Sequence, residues 1–444
     1  MRALICKARA NILALLTLFL PWSSASLIGS KRGKADHDAI PFSPGFPVQK
    51  VVDLAQTISS HSWEFGTATE ALLELYDPEL SVFGDEPFEA AESLSEAKPQ
   101  KKGNRGTQAN KLPRALAYAA EKIVIGTGAN ALADGDGAVG DPASLGVGAV
   151  LLGKRPGFEK YAKAAAETVE YITQDAPRAL NGAISHRVDV VELWADFIYM
   201  APPFLAYYAA DTANITLLRE SVSQCRLYRD RVQAKSDSPE PPFKGLWQHI
   251  QGPQHDDPGL WSTGNAWVAA GMARVLATVL KAPLGKGNAD LKWRGEAVAE
   301  LTTWIEEIVN GAVEAGKDAY EDGLVKNYFD KPETFGETSG SALMAATVYR
   351  MVILRPGVFG RSGRYIRWAD GIRTTLGGEF FDDISEDTLD HVDAVNGTVR
   401  PTVNPLGWGD VEPWMTGSPE GQSFVVLLYA AWRDCVLARV CERD

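Results

Sequence analysis

From Val48 onward, apolar residues recur mainly three or four positions apart, the period that puts them on one face of an α-helix. Such runs span Ala68 to Tyr76, Leu116 to Ile125, Tyr161 to Ile172, Leu217 to Val232 and Trp293 to Ile308. Others cover Gly264 to Leu280, Ser339 to Ile353, Ile366 to Leu376 and Gln422 to Leu437. The every-second-residue alternation of a half-buried strand is scarce. The pattern predicts an all-α chain of about a dozen helices, well above the roughly one-third helix of an average domain. These helices come in pairs joined by loops rich in Gly, Pro and Asp, which fits successive antiparallel hairpins better than a parallel α/β layout. Six such hairpins would close a ring.

One stretch departs from the pattern. Asp77 to Thr107 mixes Glu, Ser, Lys and Gly, and reads as a mobile surface insertion over about 78–108. No other shift in composition divides the chain, so 46–444 is expected to be a single domain. Ahead of it, Arg2, Lys7 and Arg9 precede an apolar run from Ile12 to Leu20 and the small residues Ser23, Ser24 and Ala25. That is the layout of a secretory signal peptide, taken as 1–25, with 26–45 as an N-terminal extension. The apolar run falls short of the roughly 20 residues a membrane span needs. The mature chain is therefore expected to be secreted, extracellular and free of the membrane.

Secretion agrees with two glycosylation sequons, Asn214-Ile215-Thr216 and Asn396-Gly397-Thr398, which predict surface positions. With Cys6 lost to the signal, Cys225, Cys435 and Cys441 remain, an odd number. One disulfide and one buried thiol are expected, and spacing leaves the pairing open. The 444 residues are 45% hydrophobic and 23% charged, enough for a large core. A net charge of −13 argues against nucleic acid as a partner, since phosphates would be repelled. No Cys/His cluster suggests zinc, and neither a metal nor a cofactor is expected.

The run from Val191 to Tyr208 sets one carboxylate, Asp196, among Leu193, Trp194, Phe197, Ile198 and Tyr199. A carboxylate so placed loses hydration and needs hydrogen-bond partners or a raised pKa. Asp189 and Glu192 fit a capping box for a helix starting near Val190, and Pro202-Pro203 should end or kink it between about Ile198 and Ala201. Asp196 would then sit at a chain break. There it could act as a catalytic acid or simply satisfy free backbone amides. A second unusual run, Gly259 to Trp267, brackets small polar residues with Trp261 and Trp267. Together the two runs suggest a carbohydrate site.

With these residues in view, the chain resembles the unsaturated glucuronyl and rhamnogalacturonyl hydrolases, glycoside hydrolase families 88 and 105. The likeness is spread in order from Trp63 to about Ala430. Trp63-Glu64-Phe65-Gly66, Asp141-Pro142-Ala143-Ser144, Trp194-Ala195-Asp196 and Gly245-Leu246-Trp247-Gln248-His249 resemble family segments, as do Glu337 to Ala342 and Ser418 to Gln422. The resemblance implies an (α/α)6 barrel, a six-hairpin glycosidase. One departure stands out, because Thr263 occupies the position of an arginine in the family's Trp-x-Arg-Gly-Asn-x-Trp pattern. Without that guanidinium, the enzyme would prefer another sugar, use Arg187 or Lys244 in its place, or have lost activity.

The reaction the resemblance implies is hydration of the C4=C5 double bond of an unsaturated uronyl residue at the non-reducing end of a lyase-generated oligosaccharide, such as one from pectin. Asp196 would be its general acid and base, with Asp141 as the second carboxylate, although Asp before Pro is also a common turn signal. His249 and Arg187 are candidates for binding substrate. Trp194, Trp247, Trp261 and Trp267 could offer flat faces to a sugar ring or serve as core anchors. His255-Asp256-Asp257, between two prolines, reads as a solvated loop, and Glu337 and Glu420 fall outside the expected site. Two rivals remain: an inverting glycosidase for saturated sugars, and a carbohydrate-binding relative without activity.

Overall fold

The protein is described by a computed structural model covering residues 38–95, 112–234, 243–315, 323–377, 390–407 and 409–443. The helices and strands all belong to one compact unit, Ala39–Asp444. The expected signal peptide and residues 96–108 of the expected insertion lie outside the described residues.

Twelve helices of eight residues or more lie in the described part. They are α1 (Val48–Thr57), α2 (Ser62–Tyr76), α3 (Arg114–Lys122), α4 (Gly146–Gly153), α5 (Glu159–Glu170) and α6 (Phe197–Asp211). The second half adds α7 (Ile215–Val232), α8 (Ser262–Lys281), α9 (Asn288–Ala315), α10 (Thr338–Leu354), α11 (Arg364–Gly377) and α12 (Pro419–Leu437). The even-numbered helices form the inner ring. Each packs on the next, and α12 returns against α2, closing the six-hairpin barrel. Their sequences show why they lie inside: α10 is buried without interruption from Thr338 to Val352, and α8 from Ser262 to Val279.

The inner ring also carries charge. Arg274 of α8 pairs with Glu70 of α2 at 2.7 Å, and Arg350 of α10 pairs with Glu74 of α2 at 2.5 Å, all four being buried. Such pairs persist in a core because each ion satisfies the other, and losing one partner strands a buried charge.

Local structure departs from expectation around Asp196. The Asp189–Glu192 segment is irregular, and α6 begins only at Phe197. Pro202 and Pro203 do not end that helix but lie inside it. They leave the carbonyls of Ile198 and Tyr199 without helical donors, and the neighbouring inner helix α8 supplies a donor to the second. Arg274 Nη1 donates to Tyr199 O at 3.3 Å. Gly271 lies so close that a Cβ there would fall 2.2 Å from Ile198 O.

Two peripheral stretches are more tightly packed than expected. Within the first part of the 78–108 insertion, Leu80, Val82 and Phe88 are buried, and Pro87–Glu92 is helical. In the 26–45 extension, Phe42 is buried against Trp432, and its carbonyl accepts the Tyr429 hydroxyl. Cys435 and Cys441 form a disulfide and Cys225 is a buried thiol, which resolves the open pairing. Asn214 and Asn396 are both exposed. No described helix is long and apolar enough to cross a membrane.

Candidate active site

A two-residue ladder positions the central carboxylate. β1 (Leu193–Trp194) pairs antiparallel with β2 (Ile250–Gln251), and Ala195 N donates to His249 O at 2.8 Å. Asp196 follows as the residue before α6, yet its side chain makes no capping bond. Its Oδ1 is buried without a hydrogen-bond partner. A carboxylate serving only the backbone would hold those amides, so this one is left to act on something else.

A second carboxylate is brought to it through a bridge between Ala138 and Arg187, reinforced by Val139 N donating to His186 O. This sets Asp141, in the short turn Gly140–Ala143, beside His186 and Arg187. Gly140 permits the approach, since a Cβ would fall 2.9 Å from the Phe197 ring and 3.2 Å from His186 Nδ1. Burial, and then the charge of Asp196, holds the Asp141 carboxyl well above its ordinary range, against the pull of Arg187. His186 Nε2 lies 3.7 Å from Asp141 Oδ1. Burial pushes that imidazole down to about 4, so it is neutral at physiological pH.

One wall of the site is aromatic and pinned by a buried acid. The Trp194 ring stacks on His186 at 4.8 Å, and its Nε1 donates to Glu192 Oε2 at 3.0 Å. Glu192 is fully buried and also accepts the amides of Gln254 and His255 and pairs with His255 Nδ1 at 3.0 Å. Burial opposes its charge, but these hydrogen bonds outweigh it and keep the carboxyl below its usual range. His249 packs edge-on to Trp194 and lies 4.4 Å from Trp261, with Nδ1 2.9 Å from Asp257 Oδ2. His255 and Asp257 thus order the site's histidine and tryptophan, rather than forming the solvated loop expected from the two prolines.

Three predicted sugar-stacking residues have no face to offer. Trp247 is fully buried, its backbone held by Asn265, and Trp267 is wedged between Tyr199 and Phe424 at 4.5 Å from each. Trp261 is buried, with Nε1 donating to Asn327 at 3.1 Å. They support the site from behind, and of the four tryptophans predicted for it only Trp194 keeps part of its ring exposed. Thr263 is also buried, donating to Glu337 Oε2 at 3.0 Å. Lys244 is exposed beside Gly311 of the outer helix α9, leaving Arg187, with an unpartnered buried Nε, as the cation nearest Asp141.

Sequence reasoning missed His186, read Glu192 as the second member of a capping box, and left Glu420, which opens α12, outside the site. Trp63 Nε1 donates to Glu420 Oε1 at 3.0 Å, while Oε2 is buried and unpartnered. Burial, and then the charges of Glu64 and Asp196, push this carboxyl well up. Among the described residues, no group of three or more His, Cys, Asp or Glu side chains is placed to hold a metal ion.

The sequence matches the model of Glycosyl Hydrolase Family 88 over residues 139–359, the stretch that contains Asp141, His186, Glu192, Asp196 and His249. The chain carries a Glycosyl Hydrolase Family 88 domain. Over 219 residues it is 24% identical to the unsaturated rhamnogalacturonyl hydrolase YesR of Bacillus subtilis (strain 168), a match covering 46% of this chain and 56% of that one. The chain thus spans little more than half the length of that curated relative. In three dimensions it resembles a possible family 105 member from Klebsiella pneumoniae subsp. pneumoniae MGH 78578, with a TM-score of 0.61 and 15% identity over 87% of this chain and 91% of that one. A family 105 glycoside hydrolase from C. acetobutylicum ATCC 824 is similar, with a TM-score of 0.60 and 16% identity over 87% of this chain and 99% of that one. These neighbours share the six-hairpin fold, and Trp63 and Glu420 lie outside the matched family segment.

Proposed function

We propose that this glycoside hydrolase hydrates the C4=C5 double bond of an unsaturated uronyl residue at the non-reducing end of an oligosaccharide. The observation that carries the reading is the unpartnered, buried Oδ1 of Asp196 facing a site whose second carboxyl, Asp141, is pushed well above its ordinary range by burial and by the charge of Asp196. Asp196 protonates C4, and the cation that forms at C5 is stabilised by the ring oxygen. A water then adds at C5 and returns its proton to the Asp196 carboxylate. The resulting hemiketal opens, and the remaining saccharide is released.

Asp141 holds sugar hydroxyls beside the neutral imidazole of His186. Arg187 meets the uronate. His249, locked by Asp257, and Trp194, locked by Glu192, line the ring. Secretion belongs to the same proposal, and the Cys435–Cys441 disulfide and two exposed sequons support it.

The test is ultraviolet absorbance of the conjugated double bond across a panel of lyase-generated disaccharides. Wild type should bleach at least one member, and Asp196→Asn should slow that reaction by about 10²- to 10⁴-fold while keeping its fold. A flat trace on every member, or an Asp196→Asn variant as fast as wild type, overturns the reading. Turnover of saturated disaccharides alone would point to an inverting glycosidase instead.

A further inference from the structure

The three tryptophans buried behind the site offer no ring face to a sugar. Another tryptophan is mounted at the same mouth. The described residues 409–417 run to the start of α12, where Glu420 lies within electrostatic reach of Asp196, and residues 401–407 lie on the same side. They are tied to the inner ring, with Thr338 N at the head of α10 donating to Pro401 O at 3.0 Å. They also reach the wall behind His249, where Asn327, the acceptor for Trp261 Nε1, donates to Asp410 O at 3.4 Å.

Within this segment Trp414 is fixed in three ways. Its backbone exchanges two hydrogen bonds with Thr402, at 2.8 and 3.0 Å, and its Nε1 donates to Gly417 O at 3.0 Å. A tryptophan with its polar edge satisfied and its backbone clamped would ordinarily turn its ring inward. Instead, 41% of Trp414 is exposed, and Met415, Val411 and Leu406 are exposed on the same segment. Such a rigid apolar ledge is costly in water unless something covers it.

We propose that Trp414 is the stacking platform for the second sugar of the substrate, the ring released when the unsaturated uronyl residue is hydrated. This rests on the hydration reading of the Asp196 site. The loop's own charge selects the class of sugar: from Asn404 to Thr416 it carries Asp410 and Glu412 and no Lys, Arg or His. A sulfated or uronic second ring would be repelled, whereas a neutral pyranose presents C–H bonds to the indole face without penalty. Trp414 is thus a specificity residue for the aglycone and takes no part in the proton transfers at Asp196.

The experiment compares wild type, Trp414→Ala and Trp414→Phe on two probes. One is an unsaturated uronyl disaccharide whose second ring is a neutral hexose, and the other is the methyl glycoside of the same unsaturated uronate. Trp414→Ala should raise KM for the disaccharide about tenfold with kcat unchanged, leave the methyl glycoside unaffected, and be largely rescued by Trp414→Phe. Equal effects on both probes, or no effect on either, overturn the proposal. So does a wild-type chain that is dimeric in size-exclusion chromatography while Trp414→Ala is monomeric, since the ledge would then be a subunit contact.

If wild type bleaches other lyase-generated disaccharides but neither probe, the proposal for Trp414 fails and the hydration reading stands; if it bleaches nothing, the hydration reading fails, and calorimetry with the disaccharide decides the ledge separately. Binding weakened about tenfold in Trp414→Ala sustains it, and equal or undetectable binding in both proteins removes it.

Discussion

Thr263 donates its hydroxyl to Glu337 at 3.0 Å, with both side chains buried between α8 and α10. Glu337 also accepts the amides of Ser339 and Gly340 at the head of α10, so it is the cap of that helix. Burial raises its pKa, and these hydrogen bonds pull the other way. The threonine is therefore part of a helix cap and presents nothing to a substrate. The helices are too close for more, because a Cβ on Gly340 would fall 2.8 Å from Thr263 N and 2.7 Å from Ser262 Oγ.

Thr263→Arg should accordingly restore no substrate contact and should destabilise the protein by about 1–3 kcal/mol through overpacking. Thr263→Val keeps the volume and removes one donor, at a cost of about 1 kcal/mol. Urea unfolding reads both values. An arginine variant as stable as wild type, with a lowered KM, would show that the space is open after all.

Arg274 serves two clients at once, the Glu70 carboxylate at 2.7 Å and the Tyr199 carbonyl orphaned by Pro203. Arg274→Met should cost about 3–5 kcal/mol, because it strands a buried carboxylate as well as a helix carbonyl. Arg274→Lys should recover part of that, since an ammonium can meet Glu70 but lacks the fork to reach Tyr199 O as well. Equal stability of Met, Lys and wild type in thermal unfolding would remove Arg274 from the account of how α6 tolerates two prolines.

These two residues also mark where the sequence was legible. Of the inner helices, α2, α8, α10 and α12 showed helical spacing in the sequence, whereas α4 carried no run of its own and α6 was expected to break at its prolines. Asp196 stood out because a charge in an apolar run demands a reason. The prolines misled, because the donor that lets α6 continue through them comes from α8, far along the chain. The tryptophans misled differently, since a ring packed behind a site and a ring lining it have the same local pattern. His186 was hidden because it meets Asp141 only through the Ala138–Arg187 bridge. Such pairings depend on tertiary structure.

Glu192 holds Trp194 through its indole N–H, and the segment 254–255 through two amides. Glu192→Ala should leave these donors unpaired, free the ring from His186 and raise KM several-fold more than it lowers kcat. Glu192→Gln keeps one acceptor for Trp194 and should fall between the two. Trp194→Phe combined with Glu192→Ala should add little to the single changes if the acid works through the ring. Full additivity in that double-mutant cycle would show that it does not.

His186 makes stability depend on pH. Its folded pKa of about 4 lies below the ordinary 6.5, so the unfolded chain binds a proton across that interval that the native protein refuses. Native stability from this group is therefore complete above pH 6.5, declines as pH falls toward 4, and changes little below. A gap of that size corresponds to about 3 kcal/mol as an upper bound at full burial. Asp141, with a raised pKa, works in the opposite direction from its ordinary 3.8 upward, since there its native form holds a proton the unfolded chain releases. His186→Gln should therefore flatten the urea-derived stability profile between pH 6.5 and 4. Asp196→Asn should lower the pKa of Asp141, by removing the charge beside it, and should lower that of His186 further, since the same charge partly offsets its burial. A His186→Gln protein whose stability still falls as steeply as wild type across that range would place the titrating group elsewhere.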